Sequence, residues 1–211
     1  MSTSRFGDLV TSADALAAVL GTPSELALKK ELAELDRHMR AFIAESPFVL
    51  LGTVGRDGRC DVSPRGDAPG VAQVLDSRTL AIPERTGNRR ADSLRNIIET
   101  GRVGLLFMIP GLKETLRVNG RACVCQDGRL LASLAAQGKV PQVAIGVEVE
   151  ECYLQCGKAL IRSRLWDATA NRQKSALPCF AEILADQTAL QGQSVESLQQ
   201  AIEESYAKRL Y

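Results

Sequence analysis

The stretch FVLLGTVGRDGRCDVSPRG, from Phe48 to Gly66, sets two strand-like runs on either side of Asp57-Gly58. That dipeptide tolerates the positive φ angles of a tight hairpin turn, so the chain is expected to double back on itself here. This start constrains what can follow, because parallel strands need long crossovers, usually helical, and no regular strand-helix repeat appears downstream. TLAIP ends at Pro83, which has no N–H for a ladder bond and so marks a strand end. After a predicted helix from Ala91 to Glu99, RVGLLFMIP is a continuous apolar run and ETLRVNGRACVCQ alternates from Thr115 to Cys125. A short helix is expected over Gly128 to Ala136. Beyond it, QVAIGVEVEECYLQC places Val143, Ile145, Val147 and Val149 at alternate positions, the period of a strand. The expected fold class is therefore α+β and mainly antiparallel, a small barrel with helices outside rather than a doubly wound parallel sheet.

Helical spacing dominates both flanks. SADALAAVL (Ser12 to Leu20) and SELALKKELAELDRHMRAFIAE (Ser24 to Glu45) each open with a serine able to cap a helix. In the second run Leu28, Leu32, Leu35, Met39 and Phe42 form one stripe suited to core or interface packing. A helical tail is expected from about Pro178 to Lys208, with SRLWDATANRQKSALP before it the most loop-like stretch. With 211 residues, the chain is expected to form one compact domain: an N-terminal helical extension (1–46), a barrel core (47–170) and a C-terminal helical tail (171–211).

Several function classes are disfavoured. A formal net charge of +1 gives no whole-molecule field that would draw the chain to nucleic acid or to an anionic membrane, so any anion site must be local. No apolar run approaches the roughly 18 residues that span a bilayer, and MSTSRFGDLV lacks the apolar core of a signal peptide, so a cytoplasmic location is expected. The six cysteines show no C-x-x-C pair, and His38, the lone histidine, lies in the charged stretch ELDRHMRAF, where a solvated position is expected. A structural zinc site is not expected. Cys123 and Cys125 share one side of a predicted strand and read as buried, reduced thiols.

The chemistry concentrates in IPERTGNRRADSLRNI, from Ile82 to Ile97. Gly87 frees the backbone to turn, Asn88 can cap, and the helix that follows presents unpaired N–H groups at its start. Arg89 and Arg90 add forked donors suited to phosphate oxygens. The alternative is that these arginines are solvated or pair with Glu84, Asp92 or Glu99. A second basic feature, SPRGD, uses Pro64 and Gly66 to fix a bend that could aim Arg65 into a site, or Arg65 pairs with Asp67 on the surface. Neither G-x-x-x-x-G-K-[ST] nor a strand-to-helix G-x-G-x-x-G is present, which disfavours a P-loop ATPase and a Rossmann dehydrogenase.

From Phe48 to Ala122, with a further piece at CGKALIRSRLWD, the chain resembles the pyridoxamine 5'-phosphate oxidase-like flavoproteins, and more narrowly a bacterial subgroup of FMN-dependent enzymes with unassigned substrate. The resemblance implies a split β-barrel that dimerises and binds FMN at the subunit interface. It implies that Arg65, Asn88, Arg89 and Arg90 hold the FMN phosphate. Thr115 lies where the family offers a polar side chain to the flavin, usually a glutamine. Lys158, Ser163 and Trp166 match a C-terminal motif expected to approach the flavin from the partner subunit, although Trp166 could equally be a core aromatic. The tyrosine, arginine and serine cluster with which the true oxidases hold substrate phosphate has no counterpart in CVCQDGRLLASLAAQGKVPQ, so vitamin B6 oxidation is not the first expectation.

The function these residues imply is an FMN-dependent oxidoreductase acting on a small molecule, with NAD(P)H or another reductant reducing the flavin. No catalytic residue is named, because the flavin itself transfers the hydride or electrons. The alternatives are a flavin-binding or storage protein without turnover, a haem-handling relative, and a bare barrel whose arginines are solvated.

Overall fold

The computed structural model describes residues 4–167, 177–188 and 194–211. Its strands are β1 (Phe48–Val54), β2 (Cys60–Gly66), β3 (Gln73–Val74), β4 (Thr79–Pro83), β5 (Arg102–Met108), β6 (Thr115–Cys125) and β7 (Ala144–Gln155). They form one antiparallel sheet in the order β2-β1-β5-β6-β7-β4-β3, so the fold is an α+β split barrel with β2 and β3 at its edges. The helices are α1 (Ala13–Leu20), α2 (Glu25–Lys29), α3 (Arg37–Glu45), α4 (Asp92–Thr100), α5 (Gly128–Ser133), α6 (Lys158–Ser163), α7 (Phe180–Thr188) and α8 (Val195–Lys208).

Alternation in the strands becomes burial in the barrel. Val49 and Leu51 of β1, Leu80 and Ile82 of β4, Leu105 and Phe107 of β5, Leu116 and Val118 of β6 and Ile145 of β7 are all almost fully buried in one cluster. Met39, Phe42 and Ile43 of α3 and Ile97 of α4 pack into the same cluster, which fixes both helices against the sheet. Each such side chain contributes about 1.5–3 kcal/mol relative to exposure, so this shared core is what holds the functional loops in place.

A bulge resets the phase of β7. Gly120 pairs with Val149 while Asn119 pairs with Glu151, which leaves Glu150 as the extra residue. Inward positions therefore run Ile145, Val147, Val149 and then Cys152 instead of continuing every second residue. A Cβ at position 120 would collide with the Glu148 carbonyl oxygen, so only glycine fits opposite the bulge.

Three local expectations are corrected. The run from Ser24 to Glu45 is two helices, α2 and α3, with an extended link between them. β4 pairs with β7 only as far as Glu148, and Leu32 bridges to Cys152 beyond that point, so the open backbone of β7 draws the link out of the helix. Asp36 then starts α3 afresh, its carboxylate accepting from the His38 and Met39 amides at 2.8 Å each. Leu28 and Leu32 are consequently exposed, and only the later part of the stripe is core. On β6 the core face belongs to Leu116 and Val118, so Cys123 is exposed, while Cys125 is half-buried against a smaller cluster of Ala81, Leu131, Leu134 and Ala144. The short helix after β6 stops at Ser133, three residues early. The expected tail contains α7 and α8, while residues 189–193 lie outside the described residues, as do 168–176 of the loop-like stretch.

Candidate functional site

β2 ends at Gly66 and β4 ends at Pro83, and the segments leaving these two strands face each other across a cleft of about 480 Å³. Arg65, Asn88 and Arg90 all line it, together with Ala91, Asp92 and Ser93 at the start of α4. The structure thus brings together residues 23 to 25 positions apart in sequence (65 against 88 and 90), from strands at opposite sides of the sheet order that share no ladder. Arg89 faces the other side of the same loop, in an adjoining cleft of about 620 Å³ with Leu94, Lys139, Pro141 and Tyr211.

The backbone of this loop is unusual. Arg89 and Ala91 adopt left-handed φ angles of 61° and 56°, which cost L-residues roughly 1–2 kcal/mol each. Ala91 is the residue that caps α4, and it has no side chain able to cap, so the first amides of the helix are free to meet an anion. Asn88 does not cap the helix. Its side-chain oxygen accepts from the Arg90 amide at 3.0 Å, which shapes the turn instead.

Arg65 is held rigidly. Its Nε donates to Glu84 at 3.1 Å, and its Nη1 donates to Ser63 Oγ and to the Pro64 carbonyl at 2.9 Å each. Ser63 and Ser93 hydroxyls lie 2.8 Å apart, and Ser93 donates to Asp61 at 2.6 Å. One proton arrangement satisfies the whole chain: Arg65 to Ser63, Ser63 to Ser93, Ser93 to Asp61. This relay ties β2 to the first turn of α4, where Ser93 is buried. The expected alternative of an Arg65 to Asp67 surface pair is not formed. Arg90 pairs with Asp92 at 2.9 Å, but its side chain is 74% exposed, so the contact is a weak surface pair.

Sequence reasoning passed over a second ion pair in the wall of the cleft. Arg85 meets Asp67 at 2.6 Å and donates to the Leu134 carbonyl at 2.9 Å. Tyr211 donates its hydroxyl to Asp67 at 2.8 Å and lies beneath the Arg85 guanidinium, 5.7 Å from ring centroid to guanidinium carbon. Burial alone would push the Asp67 carboxyl up, yet the hydrogen bonds from Tyr211, Ala68 and Arg85 outweigh it and hold the carboxyl below its ordinary range. The adjacency of Glu84 and Arg85 to the strand end at Pro83 was the available signal. Nothing local announces that Leu210 and Tyr211 return to this cleft.

The remaining expected site residues lie elsewhere in the single chain. Thr115 is buried, with its hydroxyl 3.5 Å from the Gln155 side chain. Lys158 and Ser163 bound α6, and Ser163 Oγ donates to the Leu160 carbonyl at 3.1 Å. Trp166 is 38% exposed, not a core aromatic, and its indole N–H donates to the Leu112 carbonyl at 2.7 Å. None of these four lines the two clefts. Among the described residues no group of three or more His, Cys, Asp or Glu is placed to hold a metal ion, and no helix is long and apolar enough to cross a membrane.

Fold and cleft together define a split-barrel protein with a donor-rich cleft at a helix start. The family model described as pyridoxamine 5'-phosphate oxidase matches residues 35–156, and the chain belongs to that family. Similar solved structures include HupZ of Group A Streptococcus, at 18% identity over 57% of this chain and 94% of that chain with a TM-score of 0.48. HutZ, the haem storage protein of Vibrio cholerae, is 16% identical over 58% and 94% of the two chains, with a TM-score of 0.41. An F420 reductase is 21% identical over 52% and 92%, with a TM-score of 0.38. No curated protein matches the chain.

Proposed function

We propose that the cleft between β2 and α4 holds the phosphate of FMN and that the protein is an FMN-dependent oxidoreductase acting on a small molecule. The observation that carries this reading is the convergence of Arg65, Arg90 and the uncapped start of α4 on one cleft. The donor set suits a phosphate: the Arg90 guanidinium, the Nη2 of Arg65 that its own bonds leave over, and free helix amides, with Asn88 shaping the turn that presents them. Arg90 would exchange a surface pair worth about 0–1 kcal/mol for a charge-assisted phosphate contact, which favours the exchange. Arg65, already fixed by Glu84 and Ser63, needs no reordering to contribute. Pro64, Val71, Pro83 and Leu210 supply the apolar lining.

When bound, FMN supplies hydride or electron transfer, with NAD(P)H a candidate reductant. The chain's own residues anchor and orient it. Arg89, on the far side of the loop, is assigned to the rim of the site, not to the first phosphate contact. Thr115, Lys158, Ser163 and Trp166 would serve the flavin only across a homodimer interface, so their role and the dimer are proposed together. Haem handling gains no support from the site, since His38 is exposed on α3, engages Arg37 at 3.1 Å and lines neither cleft.

The test compares two ligands that differ by the phosphate. Replacing both arginines (Arg65→Ala with Arg90→Ala) is expected to weaken FMN by about 10- to 100-fold per arginine lost, from contacts worth about 1.5–3 kcal/mol each. Riboflavin affinity should stay nearly constant. Equal losses for the two ligands would place the arginines outside the phosphate site.

A further inference from the structure

α8 buries none of its residues, and at Arg209 the backbone leaves the helix. The pair that follows, Leu210 and Tyr211, is held to the barrel from three separate segments. Tyr211 donates its hydroxyl to Asp67, just past β2, at 2.8 Å. Its ring lies beneath the guanidinium of Arg85, just past β4. Its main-chain oxygen accepts from Lys139 Nζ, in the segment after α5, at 2.6 Å. The Asp67 carboxylate that receives the hydroxyl is also paired with Arg85, and these two side chains are only 8% and 18% exposed. A hydrogen bond to a charged, desolvated acceptor is roughly twice as strong as a neutral one, so this hydroxyl is a strong determinant of where the segment lies.

With Tyr211 latched, the residue before it comes to the first cleft. Leu210 lines that cleft together with Pro64, Val71 and Pro83, while 64% of its surface stays open to water. An apolar side chain held wet at the mouth of a cleft gains free energy when a ligand covers it. The two neighbours thus have separate tasks, Tyr211 facing the second cleft and Leu210 the first. Both lie outside the residues 35–156 that match the family model, whereas Asp67, Arg85 and Lys139 lie inside them. The segment adds to the site a wall that the family match does not cover.

We propose that residues 209–211 are a strap over the flavin site: Leu210 covers the flavin bound in the first cleft, and Tyr211 is the positioning residue that latches Leu210 in place through Asp67 and Arg85. The inference rests on the FMN reading of that cleft. An apolar side chain has nothing to offer a phosphate, so Leu210 serves the part of the ligand beyond it, which FMN and riboflavin share. The strap therefore slows the departure of both flavins, unlike Arg65 and Arg90, which act on FMN alone.

The experiment measures the dissociation rates of FMN and riboflavin from the full chain, from Tyr211→Phe, from Leu210→Ala and from the variant carrying both changes. Tyr211→Phe keeps the ring beneath Arg85 and removes only the hydroxyl, and Leu210→Ala leaves every anchor of Tyr211 in place. We expect each single variant to release both flavins about three- to tenfold faster, the scale of losing a partly buried apolar contact. The double variant should release them no faster than the faster single variant, because both changes remove the same contact. In the unmodified protein, FMN should also slow hydrogen exchange at the Leu210 and Tyr211 amides. Unchanged release from either single variant, effects that multiply in the double variant, faster release of FMN alone, or exchange that FMN does not slow would each overturn the strap. So would a Tyr211→Phe variant that is less stable yet holds both flavins as long as before, since Tyr211 would then only staple α8 to the barrel. If the unmodified protein binds neither flavin, the reading of the first cleft fails and the strap with it. FMN binding with release rates that none of the variants changes removes the strap alone.

Discussion

Single residues in this protein do work that their neighbours in sequence do not disclose. Asp67 reads as a surface partner for Arg65, two positions away, but the structure gives it to Arg85 and Tyr211 and gives Arg65 to Glu84. The reason is geometric: β2 ends at Gly66, between the two, and the partners that matter come from the segment after β4 and from the chain beyond α8. Asp67 also makes a pH prediction. Its folded-state pKa is lowered, so its contribution is fully present above the ordinary aspartate pKa of about 3.9 and is lost as pH falls from there through the folded-state value. Replacing it (Asp67→Asn) should cost stability at neutral pH, in the range of about 1.5–3 kcal/mol for hydrogen bonds to a charged group. The difference from the unmodified protein should shrink toward strong acid. Urea titrations at several pH values check this, and a difference that stays constant with pH would contradict it.

At the level of elements, strands were more legible than helices. The hairpin at Asp57-Gly58, the stop at Pro83 and the alternation of β6 and β7 were all readable, because a half-buried strand writes its period into the sequence. The link between α2 and α3 was not, since helical spacing persists through residues whose backbone is claimed by the exposed side of β7. The bulge opposite Gly120 was also hidden, although it decides that Cys152 faces inward. A substitution there (Gly120→Ala) is expected to destabilise by about 1–3 kcal/mol or more, as overpacking against backbone does. Thermal unfolding measures it, and a variant as stable as the parent would show that the bulge relaxes freely.

For the whole molecule, the basic and glycine-bearing segments were visible as separate motifs, and the fold supplies their meeting point. Arg65 arrives on β2, an edge strand, while Asn88 and Arg90 arrive on the loop between β4 and α4, at the opposite side of the sheet order. Curling the sheet into a barrel is what closes that distance. The same closure brings Leu210 and Tyr211 to the clefts, which no local pattern encodes. The family assignment accounts for residues 35–156, and the flavin reading depends on a cleft whose lining, Leu210 apart, falls in that span. The most direct test is equilibrium binding of FMN and riboflavin to the purified, unmodified protein. We expect FMN to bind at least about 100-fold more tightly, as about 3 kcal/mol of phosphate contacts requires. Equal affinity for the two flavins, or no binding of either, would contradict the phosphate site on which the proposed function rests.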